Sequence, residues 1–287
     1  MSSTTVTGSF GERLRAAMAR RGQLCVGIDP HVHLLAEWGL DASAAGAREF
    51  GLRTVEAAAD AVGIVKPQVS FFERYGSAGF AALEDVLAAA RAAGLLVIGD
   101  AKRGDIGTTM DAYGEAWLTP GSPLEVDAVT VNPFLGVGTL EGTFALAESA
   151  GKGAFVLAAT SNPDAFTAQR ARLGSAESHG ETVSGAIVRE VSARNARVTA
   201  PGQWGSIGFV IGGTVDWADA GLEPFAPIAP ILGPGFGHQG AEPEDLRSRF
   251  GALAPAVIAS ESRSILAAGP DRLAARIQER ALLYRGD

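Results

Sequence analysis

Cysteine is almost absent from the 287-residue chain: Cys25 is the only one. An intrachain disulfide and a cysteine-built zinc site are both excluded. Inside the apolar run 24–28 the thiol reads as a small, buried strand residue. No stretch of about 18 apolar residues occurs, so no membrane-spanning helix is expected. Positive charge is in deficit, with 24 Lys and Arg against 32 Asp and Glu and a formal charge of -8. That excludes a dedicated nucleic-acid surface, which needs an excess of cations to meet phosphates. It leaves room for a small anionic ligand, for which a few local cations suffice. Residues 1–10 are rich in Ser and Thr and lack a basic stretch followed by an apolar one, so no signal peptide is expected and the expected location is cytoplasmic.

Hydrophobic residues make up 47% of the chain and charged residues 20%, the balance of a folded globular protein. Short apolar runs recur at 24–28, 61–65, 95–99, 128–131, 153–159, 207–211, 229–232 and 256–259. They are continuous rather than alternating, which suits strands covered on both faces, as in a parallel sheet. Ala-rich segments between them, such as 42–60 and 80–93, have the length and composition of crossover helices. Eight such units predict an α/β fold of the (β/α)8 TIM-barrel type, one domain over residues 1–287, with an open doubly wound sheet as the alternative. The long polar segment 163–181 reads as a mobile loop, and 198–205 as a further insertion.

Polar residues follow nearly every run: Asp29, Lys66, Asp100, Lys102, Asn132, Thr160, Ser161, Gln239 and Arg263. In a barrel these positions meet at the C-terminal face, which carries the active site. Side chains alternate along a strand, so Asp100 and Lys102 are expected to point the same way, into the mouth. With Lys66 on the neighbouring strand and Asp105 three residues on, they predict an alternating Lys66, Asp100, Lys102, Asp105 array. A structural salt-bridge network is the plainer reading. Burying four charges is costly even when they are paired, which favours chemistry. Flanking carboxylates favour the ammonium form of Lys102. Such a lysine is a poor Schiff-base nucleophile but a usable acid, able to stabilise a carbanion and then protonate it. Asp100 would repel a substrate carboxylate, a repulsion relieved when the carboxylate departs as carbon dioxide.

The segment Asp100-Ala101-Lys102-Arg103-Gly104-Asp105-Ile106, followed by Thr108-Thr109, resembles the Asp-x-Lys-x-x-Asp-Ile-x-x-Thr signature of the orotidine 5'-phosphate decarboxylases. Val65-Lys66-Pro67-Gln68 matches that family's companion lysine, and Phe71-Phe72-Glu73 and Thr160-Ser161-Asn162-Pro163 resemble its longer, type 2 branch. The resemblance covers about residues 25–263. It implies conversion of orotidine 5'-monophosphate to UMP and carbon dioxide in pyrimidine biosynthesis, with no metal and no organic cofactor. It implies Lys102 as proton donor, Asp100 facing the substrate carboxylate, and Lys66 holding Asp100 and a ribose hydroxyl. It further implies Asp29 on the ribose, Ser161, with Thr160, at the pyrimidine, and a homodimer in which Asp105 and Thr109 reach into the partner's site.

Pro234-Gly235-Phe236-Gly237-His238-Gln239-Gly240 follows the seventh run, where barrels often bind phosphate. Glycine lets backbone N–H groups approach an anion closely, so Gly235 and Gly237 are phosphate candidates. Arg263 adds a guanidinium fork, and the resemblance makes Gln239 a side-chain contact. The literal G-x-G-x-x-G here, with Glu261 about 20 residues on, is a weak dinucleotide signal because no βαβ half follows it. His31-Val32-His33 could begin a metal site, but only His179 and His238 remain to complete one, and neither ends the fifth or sixth strand. Lys152 lacks a P-loop's upstream glycine and reads as solvated. Arg103 reads as a loop-closing charge or a support for the dimer interface, and Glu73 as a helix-start charge. Open alternatives are a Mg²⁺-dependent barrel similar to the pentulose-phosphate aldolases, a Schiff-base aldolase, and a nucleotide-binding barrel without catalysis.

Overall fold

The computed structural model describes residues 8–174, 180–237 and 240–285. Eight parallel strands close on themselves in chain order: β1 (Leu24–Ile28), β2 (Ile64–Pro67), β3 (Leu96–Arg103), β4 (Ala128–Val131), β5 (Gly153–Ala159), β6 (Ile207–Ile211), β7 (Ile231–Pro234) and β8 (Val257–Glu261), with β8 pairing to β1. The expected (β/α)8 barrel is the observed fold. Four runs match their strands to the residue. The second and seventh strands begin later than their apolar runs, because the barrel uses the two residues after each run as strand (Lys66-Pro67, Gly233-Pro234) and leaves the first apolar residues as the approach.

The longer helices are α1 (Phe10–Arg21), α2 (Ala44–Ala58), α3 (Gly76–Ala92), α4 (Gly107–Leu118), α5 (Glu141–Ser149), α6 (Val183–Val198) and α7 (Leu273–Leu283). Three begin on a hydroxyl that takes up an otherwise orphaned backbone N–H: Ser9 accepts from Glu12, Ser43 from Gly46 at 3.1 Å, and Thr182 from Gly185 at 2.9 Å. None of the described helices is long and apolar enough to cross a membrane.

The core has two parts. One lies between strands and outer helices. The other fills the barrel and takes one inward residue from each strand: Cys25, Ile64, Ile98, Ala128, Phe155, Val210, Leu232 and Ile258. Phe10 and Leu14 of α1, fully buried, close this inner core from below, so the N-terminal end is a plug and not an opening. Cys25 is a buried strand residue whose thiol is pushed up to about 12 by burial, an inert group.

Several loop expectations are corrected. Segment 163–181 is not simply an irregular loop. It contains a 3-10 turn, Pro163–Ala165, a short helix, Phe166–Gln169, and a bridge from Arg172 to Thr182. Segment 198–205 begins with the last residue of α6, and Trp204 belongs to the inner core near α1. Lys152 is buried, not solvated: its Nζ lies 2.7 Å from Glu125 Oε1.

Candidate active site

Side-chain alternation builds the mouth. Two residues beyond the inward apolar layer the strands present Gly27, Lys66, Asp100, Thr130 and Ser260; two further on come Asp29, Lys102, Asn132 and Ser262. The inner core is apolar at its centre and turns polar within one residue pair at its C-terminal end.

Asp100 is the hub. Its Oδ2 accepts from Lys66 Nζ at 2.8 Å; its Oδ1 accepts from Lys102 Nζ at 2.6 Å and from Thr130 Oγ1 at 2.9 Å. The Lys66 and Asp100 side chains are each 8% exposed, whereas that of Lys102 is 45% exposed. Burial would raise the Asp100 carboxyl, but the facing Lys66 and Lys102 outweigh it and hold the group far below the carboxylate range. Burial would lower Lys66, but Asp100 and Asp29 outweigh it and hold the ammonium above its ordinary value. Around the first cavity three cations, Lys66, Lys102 and Arg263, face two carboxylates, Asp29 and Asp100, a local positive surplus inside an acidic chain that favours an anionic ligand.

Simple alternation does not explain how Lys102 joins Asp100. Lys102 has φ +49°, the one positive value outside glycine among the described residues, and the β3–β4 register shifts between Gly99 and Arg103. The backbone is strained where the reactive ammonium is presented. Thr130, fully buried, accepts the Lys102 backbone N–H at 2.9 Å while donating to Asp100, and so holds both partners. Gly104 makes the following turn possible, since a Cβ there would lie 2.4 Å from the Asn132 carbonyl oxygen.

Asp29 ends β1. Its Oδ2 accepts from Ser262 Oγ at 2.5 Å, and its Oδ1 is buried without a partner among the described residues. A carboxylate oxygen left open beside Lys66 can receive a ligand hydroxyl. Gly27 lets the two strands meet there, because a Cβ would fall 2.8 Å from Ser262 Cβ.

Two cavities meet at Lys102. One, of about 240 Å³, is lined by Asp29, Lys66, Asp100, Gly235, Ser262 and Arg263 among others. The second, of about 740 Å³ and more apolar, includes Asn132, Phe134, Thr160 and Asn162. Thr160 is held by Gln169, whose Nε2 donates to its hydroxyl at 2.9 Å. Ser161 is half-buried and lines neither cavity. Gly235 lines the first cavity, with φ +105°. Gly237 is turned away, its N–H donating to Ala241 O at 2.8 Å. Arg263 is exposed into the first cavity. Gln239, with His238 and His179, lies outside the described residues.

The expected four-membered array is corrected to three in this chain. Among the described residues Asp105 accepts only its neighbour's N–H, Ile106 at 2.8 Å, and with Thr109 it lies outside both cavities. Arg103 reaches Glu73 at 3.0 Å and lies over the Tyr113 ring. His31 packs on Phe71 at 4.3 Å between ring centroids, and burial lowers it. Glu261 is fully buried against Arg280 and Tyr284, which disposes of it as a ribose ligand in a dinucleotide site. Thr130, Ser262 and Gln68, whose Nε2 donates to Asp100 O at 3.3 Å, are site residues that sequence reading missed. Thr130 carried a signal: it is the one polar residue in the run 128–131 and shares the inward parity of Ala128.

The model of the Orotidine 5'-phosphate decarboxylase / HUMPS family matches residues 22–277. An orotidine 5'-phosphate decarboxylase of Salinispora arenicola is 50% identical, covering 93% of each chain, and one of Corynebacterium efficiens is 47% identical over 98% of this chain and 99% of its own. A Streptomyces avermitilis crystal structure with the same decarboxylase assignment superposes with a TM-score of 0.91 at 44% identity, covering 99% of this chain and 98% of that one. With the whole barrel and the Lys66–Asp100–Lys102 hub inside the matched span, the chain belongs to the Orotidine 5'-phosphate decarboxylase / HUMPS family.

Proposed function

We propose that this chain is an orotidine 5'-phosphate decarboxylase that forms UMP and carbon dioxide, with Lys102 as the proton donor and neither metal nor organic cofactor. The observation that carries the reading is the pair of ammoniums on one buried carboxylate, with Lys102 open to the cavity. Asp100, held ionised by Lys66 and Lys102, lies beside the leaving carboxylate and repels it. The carbon–carboxylate bond breaks, carbon dioxide leaves, and the electron pair stays on the ring carbon. The Lys102 ammonium stabilises that charge and then transfers a proton to the carbon, regaining one from solvent. Positive charge and proton both come from one side chain, so the step needs no metal. The family description carries a second name, HUMPS, but the relatives named above carry only the decarboxylase name.

Asp29 and Lys66 receive the ribose, Thr160 the ring, and Gly235, Gln239 and Arg263 the phosphate; Ser161, which lines neither cavity, and Gly237, whose N–H is taken by Ala241 O, were expected there but do not face the ligand in this arrangement. The unpartnered Asp29 Oδ1 supports the first of these, and Arg263 in the same cavity supports the last. The protein works as a homodimer of one-domain chains in the cytoplasm, with Asp105 and Thr109 completing the partner's site. Support for this comes from Asp105 having no cation partner among the described residues and from Ile106, beside it, being 60% exposed.

The test is loss of orotidylate absorbance with pure protein, with and without EDTA. Turnover unaffected by EDTA is expected, with Lys102→Ala slower by at least about 10³-fold. No turnover, strong EDTA inhibition, or full rate in Lys102→Ala overturns the reading. Mixing Lys102→Ala with Asp105→Ala chains should restore part of the rate through one intact shared site; no recovery in stable heterodimers rejects sharing.

A further inference from the structure

Behind the phosphate end lies a charged cluster that the reaction itself does not use. Glu261, the last residue of β8, has no exposed surface. It accepts from Arg280 Nη2 at 2.5 Å, Arg280 Nε at 3.0 Å, Tyr284 Oη at 2.6 Å and Ser264 Oγ at 2.8 Å. Arg280 belongs to α7, and Tyr284 immediately follows that helix. Burying such a pair costs desolvation that only good geometry offsets, so the cluster is a poor device for stability alone.

Its neighbours explain its position. Gly237 rests directly on it: a Cβ there would lie 2.8 Å from Ser264 Oγ and 2.9 Å from Glu261 Oε2. Phe236, which lines the first cavity, meets the Tyr284 ring edge-on with centroids 6.1 Å apart. Glu242, beyond the glycine turn, lies 3.5 Å from Arg280 Nη2. On the other side, the two residues after Glu261 are Ser262, which holds Asp29, and Arg263, which faces the cavity. One carboxylate therefore anchors both the turn after β7 and the residues after β8.

We propose that Glu261, Arg280 and Tyr284 are positioning residues that hold the Gly235–Gly237 turn and Arg263 in register around the substrate phosphate. The inference rests on the decarboxylase reading above. It makes the C-terminal helix a specificity element for the phosphate, acting through residues that touch the ligand while itself touching none.

The experiment compares Tyr284→Phe and Glu261→Gln with wild type in the full-length chain. It measures kcat and KM for orotidylate, Ki for UMP, Ki for uridine, and Tm. Tyr284→Phe keeps the ring on Phe236 and removes one hydrogen bond; KM and the UMP Ki should rise together by about 3- to 10-fold. Glu261→Gln should raise them further. In both, uridine inhibition should stay unchanged and kcat should fall less than KM rises. Equal weakening of UMP and uridine, or a lower Tm with unchanged UMP affinity, would show a merely structural cluster and overturn the inference. If Glu261→Gln does not fold, the Tyr284→Phe comparison still decides. Absence of orotidylate turnover in wild type would overturn the functional reading instead; turnover with unaltered UMP affinity in the variants overturns this inference alone.

Discussion

At the N-terminal end of the barrel Asp127 receives Arg13 Nη1 at 2.7 Å on one oxygen and the Val97 N–H at 2.9 Å on the other. Nearby, Glu125 is matched as fully, by Lys152 at 2.7 Å and the Gly121 N–H at 2.8 Å. At the C-terminal end Asp29 keeps one buried oxygen unpartnered, and Lys102 is presented to a cavity on strained backbone. Both ends are built from carboxylates paired with Lys or Arg, so composition does not distinguish them. The difference is completion: the lower carboxylates are satisfied within the chain, whereas at the upper end one Asp29 oxygen has no partner among the described residues and the Lys102 ammonium is open to the cavity. Only the second arrangement can gain energy from a substrate.

Breaking the upper end at its least conspicuous member should give the largest effect that leaves the charges in place. Thr130→Val removes the hydroxyl that links the Lys102 N–H to Asp100. It should lower kcat by about 10- to 100-fold through misplacement of the ammonium, and Thr130→Ser should recover most of it. Steady-state kinetics on the three proteins checks this. A near wild-type kcat in Thr130→Val would mean that the positive φ at Lys102 holds itself, and the hydroxyl would be only a buried polar group with a partner.

The lower end should respond in the opposite currency. Asp127→Asn weakens the Arg13 pair, whose side chains are 18% and 11% exposed. A loss of about 2 kcal/mol, or a Tm lower by about 4–8 °C, is expected. The ratio kcat/KM for orotidylate should be unchanged. If kcat/KM falls while Tm holds, the two ends are coupled and the contrast between closed and open charge fails.

The sequence made the barrel and its charged strand ends legible because parallel strands read as unbroken apolar runs and the polar residues after them share one face. Lys66, Asp100 and Lys102 were found by those rules and stand together. The geometry of Lys102 was not legible, since alternation presumes regular strand and the register shift after Gly99 replaces it with a left-handed residue. Lys152 was misread because burial with Glu125 depends on two segments 27 residues apart meeting below the barrel. Ser262 and Thr130 were visible as polar residues on inward parity, but small hydroxyls announce no chemistry until their partners are known. Asp105 could not be placed by strand rules at all, since it follows the last residue of β3 on a turn.

The smallest effect is one of pH, and it concerns the upper end alone. Burial raises the Asp100 carboxyl, but Lys66 and Lys102 together hold it far below its ordinary 3.8. Stability from that depression is present above pH 3.8 and is lost only as pH falls through the lower folded value. Burial lowers Lys66, but Asp100 and Asp29 hold it above its ordinary 10.5. Its contribution is complete below 10.5 and is lost as pH rises through the higher folded value. Between those limits neither group changes protonation, so the pair's contribution should be flat. Comparing wild type with a Lys66→Met, Asp100→Leu double variant, the difference in Tm should stay constant from about pH 5 to 9, whatever its sign, and change only in stronger acid or base. A difference that moves between pH 5 and 6 would show the Asp100 carboxyl raised above its ordinary 3.8 in the folded chain, taking up a proton where the unfolded chain is still ionised. The hub would then lack the fixed charge that the open end of the barrel requires.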